Sequence, residues 1–85
     1  MIIINRKRRC PHQIVSEIIQ STQKPRQLSD IVFDSRTNFK QANEYIKQLV
    51  KAGLLKKSLT INGYEATEKG MKYLATYEQL EELLL

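Results

Sequence analysis

Between Gly53 and Thr67 the hydrophobic residues of this chain change from a spacing of about 3.6 to a spacing of about 2, and beyond Thr67 the helical spacing returns. A short ribbon is thereby set between helical segments, which restricts the fold more than any single motif. Upstream, Pro11 suits the first position of a helix, and Ile14, Val15, Ile18 and Ile19 give that helix one apolar face. A first helix is predicted over about Pro11 to Thr22, ended by Lys24-Pro25. A second, short helix is predicted from Gln27 or Leu28 to Phe33, with Leu28, Ile31 and Val32 inward, followed by a tight turn over Asp34, Ser35, Arg36 and Thr37. Asn38 followed by Gln41 is a capping-box pattern that starts a third helix at Phe39, and Gly53 is placed to end it in the left-handed conformation.

The third helix is amphipathic. Phe39, Ala42, Ile46, Leu49 and Val50 share one face, whereas Lys40, Gln41, Glu44, Gln48 and Lys51 lie opposite, with Lys47 and Tyr45 on the flanks. Asn43 falls between Phe39 and Val50 and is expected to be partly buried and not a reader of bases. In the ribbon, Asn62-Gly63 signals a two-residue type I′ hairpin that pairs Ile61 with Tyr64 and Leu59 with Ala66. That register puts Leu55, Leu59, Ile61, Tyr64 and Ala66 on one face, together with Lys57, and Lys56, Ser58 and Thr60 on the other. Thr67 then caps a fourth helix from Glu68 to near Leu85, with Met71, Leu74 and Ala75 toward the core. Tyr73, Tyr77, Leu80 and Leu84 repeat at the spacing of a short helix-helix seam. The order α-α-α-β-β-α describes a mainly α winged helix-turn-helix with a small β-hairpin.

At 85 residues there is room for one small core, and one cysteine and one histidine provide neither an internal disulfide nor a metal constellation. Cys10 and His12 are two apart, and residues two apart on a helix point to different faces; no phosphate-cradling glycine motif and no carboxylate pair in an obvious pocket is present. No enzyme, metal, cofactor or small-molecule ligand is expected. The longest apolar runs, Met1 to Ile4 and Leu83 to Leu85, are far short of a membrane span, and Ile2 to Ile4 precede the basic residues, the reverse of a secretory signal. A cytoplasmic protein is expected.

The net charge of +5 is unevenly spread. Residues 1–9 carry +4 through Arg6, Lys7, Arg8 and Arg9, residues 10–37 are neutral, residues 38–63 carry +4, and residues 64–85 carry −3. The division predicts a basic N-terminal arm (1–9), a winged helix-turn-helix domain (10–67), and an acidic C-terminal dimerisation helix (68–85) in the same compact unit. Position on the third helix nominates Lys40, Gln41, Glu44 and Lys47 as readers of base edges in a major groove. Charge and flanking position nominate Arg6, Lys7, Arg8, Arg9, Arg36, Thr37, Asn38, Lys56 and Asn62 as phosphate contacts, with less expected of Lys57.

Four stretches carry a family resemblance: Arg6-Lys7-Arg8-Arg9, Asn38-Phe39-Lys40-Gln41, the run from Tyr45 through Gly53-Leu54-Leu55, and Tyr64-Glu65-Ala66-Thr67-Glu68-Lys69-Gly70. Together they resemble small archaeal and archaeal-virus winged-helix DNA-binding proteins, from about Arg6 to the C-terminus. The resemblance implies a homodimer formed through the last helix, with the third helix and the wing on double-stranded DNA. Some relatives are chromatin-like proteins with a much longer antiparallel coiled coil; the short final helix here favours a compact transcriptional regulator. Glu44 stands where a basic residue is expected on the reading face, so the base sequence read is this chain's own. A protein-interaction module and a non-specific chromatin-like protein are the other functions that fit.

Overall fold

A computed structural model describes residues 10–84; the arm residues Arg6 to Arg9 lie outside them. The first helix, α1 (Pro11–Ser21), carries its proline in the opening turn and buries Ile14, Ile18 and Ile19. It is closed by Thr22, whose buried hydroxyl donates to the Ile18 and Ile19 carbonyls at 2.9 and 3.1 Å. The second helix, α2 (Leu28–Ser35), runs two residues beyond the predicted Phe33, taking in Asp34 and Ser35. Ser35 suits a helix here because its buried hydroxyl donates to the Ile31 carbonyl at 2.6 Å. The turn is made by Arg36, left-handed at φ 54° and ψ 44°.

Asn38 caps α3 (Phe39–Lys51) as predicted, its side-chain oxygen accepting from the Gln41 amide at 2.8 Å. Ala42, Ile46 and Leu49 form the buried face, and Ile46 and Leu49 join Ile14, Ile18, Ile31 and Leu55 in one core cluster. Gly53, at φ 84°, ends α3 in a Schellman motif: its amide donates to Val50 and the Leu54 amide to Leu49, at 3.0 and 2.8 Å.

The ribbon departs from its predicted register. Strands β1 (Leu55–Lys57) and β2 (Tyr64–Ala66) pair Leu55 with Ala66, Lys56 with Glu65 and Lys57 with Tyr64. The connection is a longer loop over residues 58–63, and Leu59 and Ile61 are exposed instead of facing inward. Two interactions replace the expected type I′ turn. The Ser58 hydroxyl accepts from the Thr60 and Ile61 amides at 3.1 and 3.2 Å, taking over the turn. Gly63 is not in a positive-φ conformation; it lies against the segment between α1 and α2, where an added Cβ would stand 2.0 Å from the Arg26 carbonyl oxygen. There Arg26 pairs antiparallel with Tyr64, the two amides donating at 2.9 and 2.8 Å, so a one-residue third strand covers the edge of β2. Because the register shift is even, Leu55, Tyr64 and Ala66 keep their shared face.

Arg26 is held there by Asp34, whose carboxylate also accepts from the Ser21 hydroxyl at 2.7 Å. The Ser21 hydrogen bond, and secondarily Arg26, keep the Asp34 carboxyl below its ordinary value.

The last helix is α4 (Glu68–Leu84). Its cap, Thr67, accepts from the Gly70 amide at 3.1 Å. The inner face is Gly70 and Leu74, flanked by half-buried Tyr73 and Tyr77, whereas Met71 and Ala75, predicted to face the core, are exposed. Gly70 sets this rotation by packing on Leu54, where an added Cβ would lie 2.3 Å from the carbonyl oxygen.

The Gly63 contact has a measurable consequence. Gly63→Ala must displace the Arg26 backbone and is expected to cost about 1–3 kcal/mol in urea unfolding, whereas Asn62→Ala, in an exposed loop, should stay within about 0.5 kcal/mol. A loss of stability at Asn62 equal to that at Gly63 would restore the two-residue turn.

Candidate nucleic-acid interface

On the face of α3 opposite Ala42, Ile46 and Leu49, Lys40, Glu44, Lys47 and Lys51 form one exposed stripe at i, i+4, i+7 and i+11. Three of the four nominated readers, Lys40, Glu44 and Lys47, therefore share a solvent-facing line. Gln41 is half-buried beside that line, its backbone N–H donating to the Asn38 side chain.

The helix buries a narrower face than its sequence suggests. Phe39 is 58% exposed, Val50 is also exposed, and Asn43 between them is exposed instead of partly buried. In a domain of this size Ala42, Ile46 and Leu49 are the buried residues of α3, with half-buried Tyr45 packed beside them, which leaves Phe39 and Asn43 accessible beside the lysine stripe. These are the interface candidates that the sequence assigned inward. The signal that separates them, their angular distance from the centre of the buried face, depends on how many neighbouring elements cover the helix.

The turn residues are engaged in building the turn. The Thr37 hydroxyl shares a hydrogen bond with the Ser35 hydroxyl at 3.0 Å, its amide donates to Val32 at 3.1 Å, and the Asn38 side chain is the α3 cap. Arg36 extends into solvent, its guanidinium donating to Glu17 at 3.0 Å. A left-handed arginine where glycine would be relaxed costs about 1 kcal/mol, so Arg36 is not the residue that backbone geometry alone would select.

On the ribbon, the Lys56 ammonium lies 3.6 Å from the Glu65 carboxylate across the strand pair, an exposed contact that salt and water weaken. Lys57 is exposed opposite Tyr64, and Asn62 is exposed in the loop. Arg6, Lys7, Arg8 and Arg9 fall outside the described residues.

The nominated seam on α4 divides in two. Tyr73 and Tyr77 are half-buried against α1 of the same chain, with the Tyr73 hydroxyl 2.9 Å from His12 Nδ1, and burial raises both phenols above their ordinary value. Beyond Tyr77 every side chain from Glu78 to Leu84 is exposed, including Leu80, Leu83 and Leu84, with Leu83 at 80%. Among the described residues no cluster of metal-ligating side chains occurs, and no helix is long and apolar enough to cross a membrane.

Known proteins share this arrangement. No curated protein matches the chain. Among solved structures, the crystal structure of Sso10a-2, a DNA-binding protein from Sulfolobus solfataricus, is similar over 88% of this chain and 81% of that one, at 25% identity and a TM-score of 0.79. The sequence profile described as winged helix-turn-helix matches residues 8–85. With three helices, the ribbon and the following helix in the expected order, the chain belongs to the winged helix-turn-helix family.

Proposed function

We propose that the chain binds double-stranded DNA as a homodimer and serves as a transcriptional regulator, with α3 in the major groove and the hairpin as its wing. The observation that carries this reading is the lysine stripe of α3, exposed on a rigidly capped helix whose opposite face is the domain core. The likeness to an archaeal DNA-binding protein supports it.

In that placement Lys40 and Lys47 reach acceptors on guanine, Gln41 and Asn43 have the amide geometry that adenine accepts in bidentate fashion, and Glu44 accepts from cytosine. Arg36, Thr37, Asn38, Lys56 and Asn62 flank the helix and the wing as phosphate contacts, joined by Arg6, Lys7, Arg8 and Arg9 of the arm. A carboxylate in the reading stripe raises specificity at a cost in general affinity, which favours a regulator over a protein that coats DNA without discrimination.

Removing Asn43 or Glu44 as alanine should shift base preference by about 1–3 kcal/mol at individual positions in a randomised-site selection. Arg36→Gly relieves the left-handed backbone, so it should leave folding stability equal or higher while lowering affinity for all sequences and reducing the salt slope by about one. An affinity insensitive to salt in the parent chain would instead mark a protein-interaction module.

The dimer is proposed to form through the free end of α4, where Leu80, Leu83 and Leu84 project beyond the domain. Each buried leucine contributes about 1.5–3 kcal/mol before the cost of association. Two-fold symmetry then calls for half-sites about 34 Å apart. Leu80→Glu with Leu84→Glu leaves the α1 contacts of Tyr73 and Tyr77 intact and should give folded monomers with much weaker DNA binding. Sedimentation of the parent as a monomer at tens of micromolar, where an association of about −6 kcal/mol is already visible, would rule this interface out.

A further inference from the structure

The most exposed large hydrophobic side chain among the described residues is Leu59, at 95%, on the tip of the wing. Its position is built, since the Ser58 hydroxyl accepts from the Thr60 and Ile61 amides, the Ser58 amide donates to the Gly63 carbonyl at 2.9 Å, and the Gly63 amide donates to Ile61 at 3.0 Å. Leu55, not Leu59, occupies the core position opposite Ala66. A leucine held almost wholly in water by an ordered loop contributes nothing to the core.

We infer that Leu59 is an apolar wedge that enters the DNA minor groove and opens a base step there. The inference rests on the DNA-binding reading above and extends it to the wing. Charge complementarity identifies the occupant. No acidic residue occurs from Gly53 to Tyr64, and the six loop residues 58–63 are uncharged. Lys57 and Lys56 stand at the loop's base, the latter 3.6 Å from Glu65 in an exposed contact that a phosphate can replace. The acidic residues Glu78, Glu81 and Glu82 are confined to the far end of α4. A narrow groove with apolar sugar walls and polar acceptors on its floor suits this tip: leucine for the walls and the step, and Thr60 and Asn62 as donors to adenine N3 and thymine O2. A wedge of this kind bends the duplex toward the major groove, on the side where α3 is proposed to lie.

The test uses the full chain and a mixed-sequence duplex of about 30 base pairs carrying a fluorescence energy-transfer pair at its ends. The variants are Leu59→Ser and Leu59→Met, with their urea midpoints checked against the parent. The wedge predicts that Leu59→Ser binds roughly tenfold more weakly, loses the end-to-end shortening of the duplex, and keeps the parental salt slope. Leu59→Met should restore both affinity and bend. Parental affinity and bend in Leu59→Ser overturn the inference while leaving DNA binding by α3 intact. A changed sedimentation of free Leu59→Ser also overturns it, by assigning the leucine to self-association. If the parent itself shows no salt-dependent binding to the duplex, the DNA reading fails and the wedge with it.

Discussion

The arrangement of α3, the wing and the last helix depends on the meeting of two short stretches, Ala52-Gly53-Leu54 and Thr67 to Gly70. Three successive carbonyls after α3 are met from the start of α4. The Ala52 oxygen accepts from the Lys69 ammonium at 2.8 Å, the Gly53 oxygen from the Thr67 hydroxyl at 2.5 Å, and the Leu54 oxygen from the Thr67 amide at 3.0 Å. Carbonyls that a helix end leaves without partners are satisfied by the next helix's cap, and a cation sits at the negative end of the α3 dipole. The approach is possible because Gly53 takes the left-handed turn and Gly70 has no side chain to strike Leu54. β1 leaves this junction and β2 returns to it. The Ala66 amide donates to Thr22 at 2.7 Å and Arg26 pairs with Tyr64, so the wing is fastened to the end of α1 as well. These contacts fix the wing against α3, so that the two present a single surface.

That scaffold also separates charge. Lysines occupy the exposed stripe of α3 and the base of the wing, while the free end of α4 carries Glu78, Glu81 and Glu82 beside Leu80, Leu83 and Leu84. A polyanion is attracted to the first region and repelled from the second. Tyr73 and Tyr77 mark the boundary: they pack on α1, and the helix becomes solvent-exposed immediately after them.

The element order, the Asn38 cap, the Gly53 stop and the Thr67 cap were legible in the sequence because each rests on a local rule with one strong residue. The structure departs from the sequence pattern where a local signal meets a tertiary demand. Asn62-Gly63 has the composition of a hairpin turn, yet Gly63 is needed against Arg26, and Arg26 beside Pro25 gives no strand signal of its own. Met71 and Ala75 lost the inner face of α4 to Gly70 and Tyr73, since a buried glycine carries no hydrophobic signal although it decides which way the helix turns. Of the proposed interface, the Lys40, Glu44 and Lys47 line was legible from helical spacing. Asn43 and Phe39 were not, because periodicity fixes the direction of the core and not its width. Leu59 points outward for the same reason that the hairpin register differs, the demand for Gly63 against Arg26.

The most direct test of the DNA interface is a nitrogen-proton correlation spectrum of the isotopically labelled chain titrated with a duplex at moderate salt. The account predicts that the largest amide shifts fall on α3 from Phe39 to Lys51 and on residues 58–63 of the wing, while Glu78 to Leu84 of α4 stay near their free positions. Shifts concentrated on the end of α4, with α3 and the wing unchanged, would contradict it.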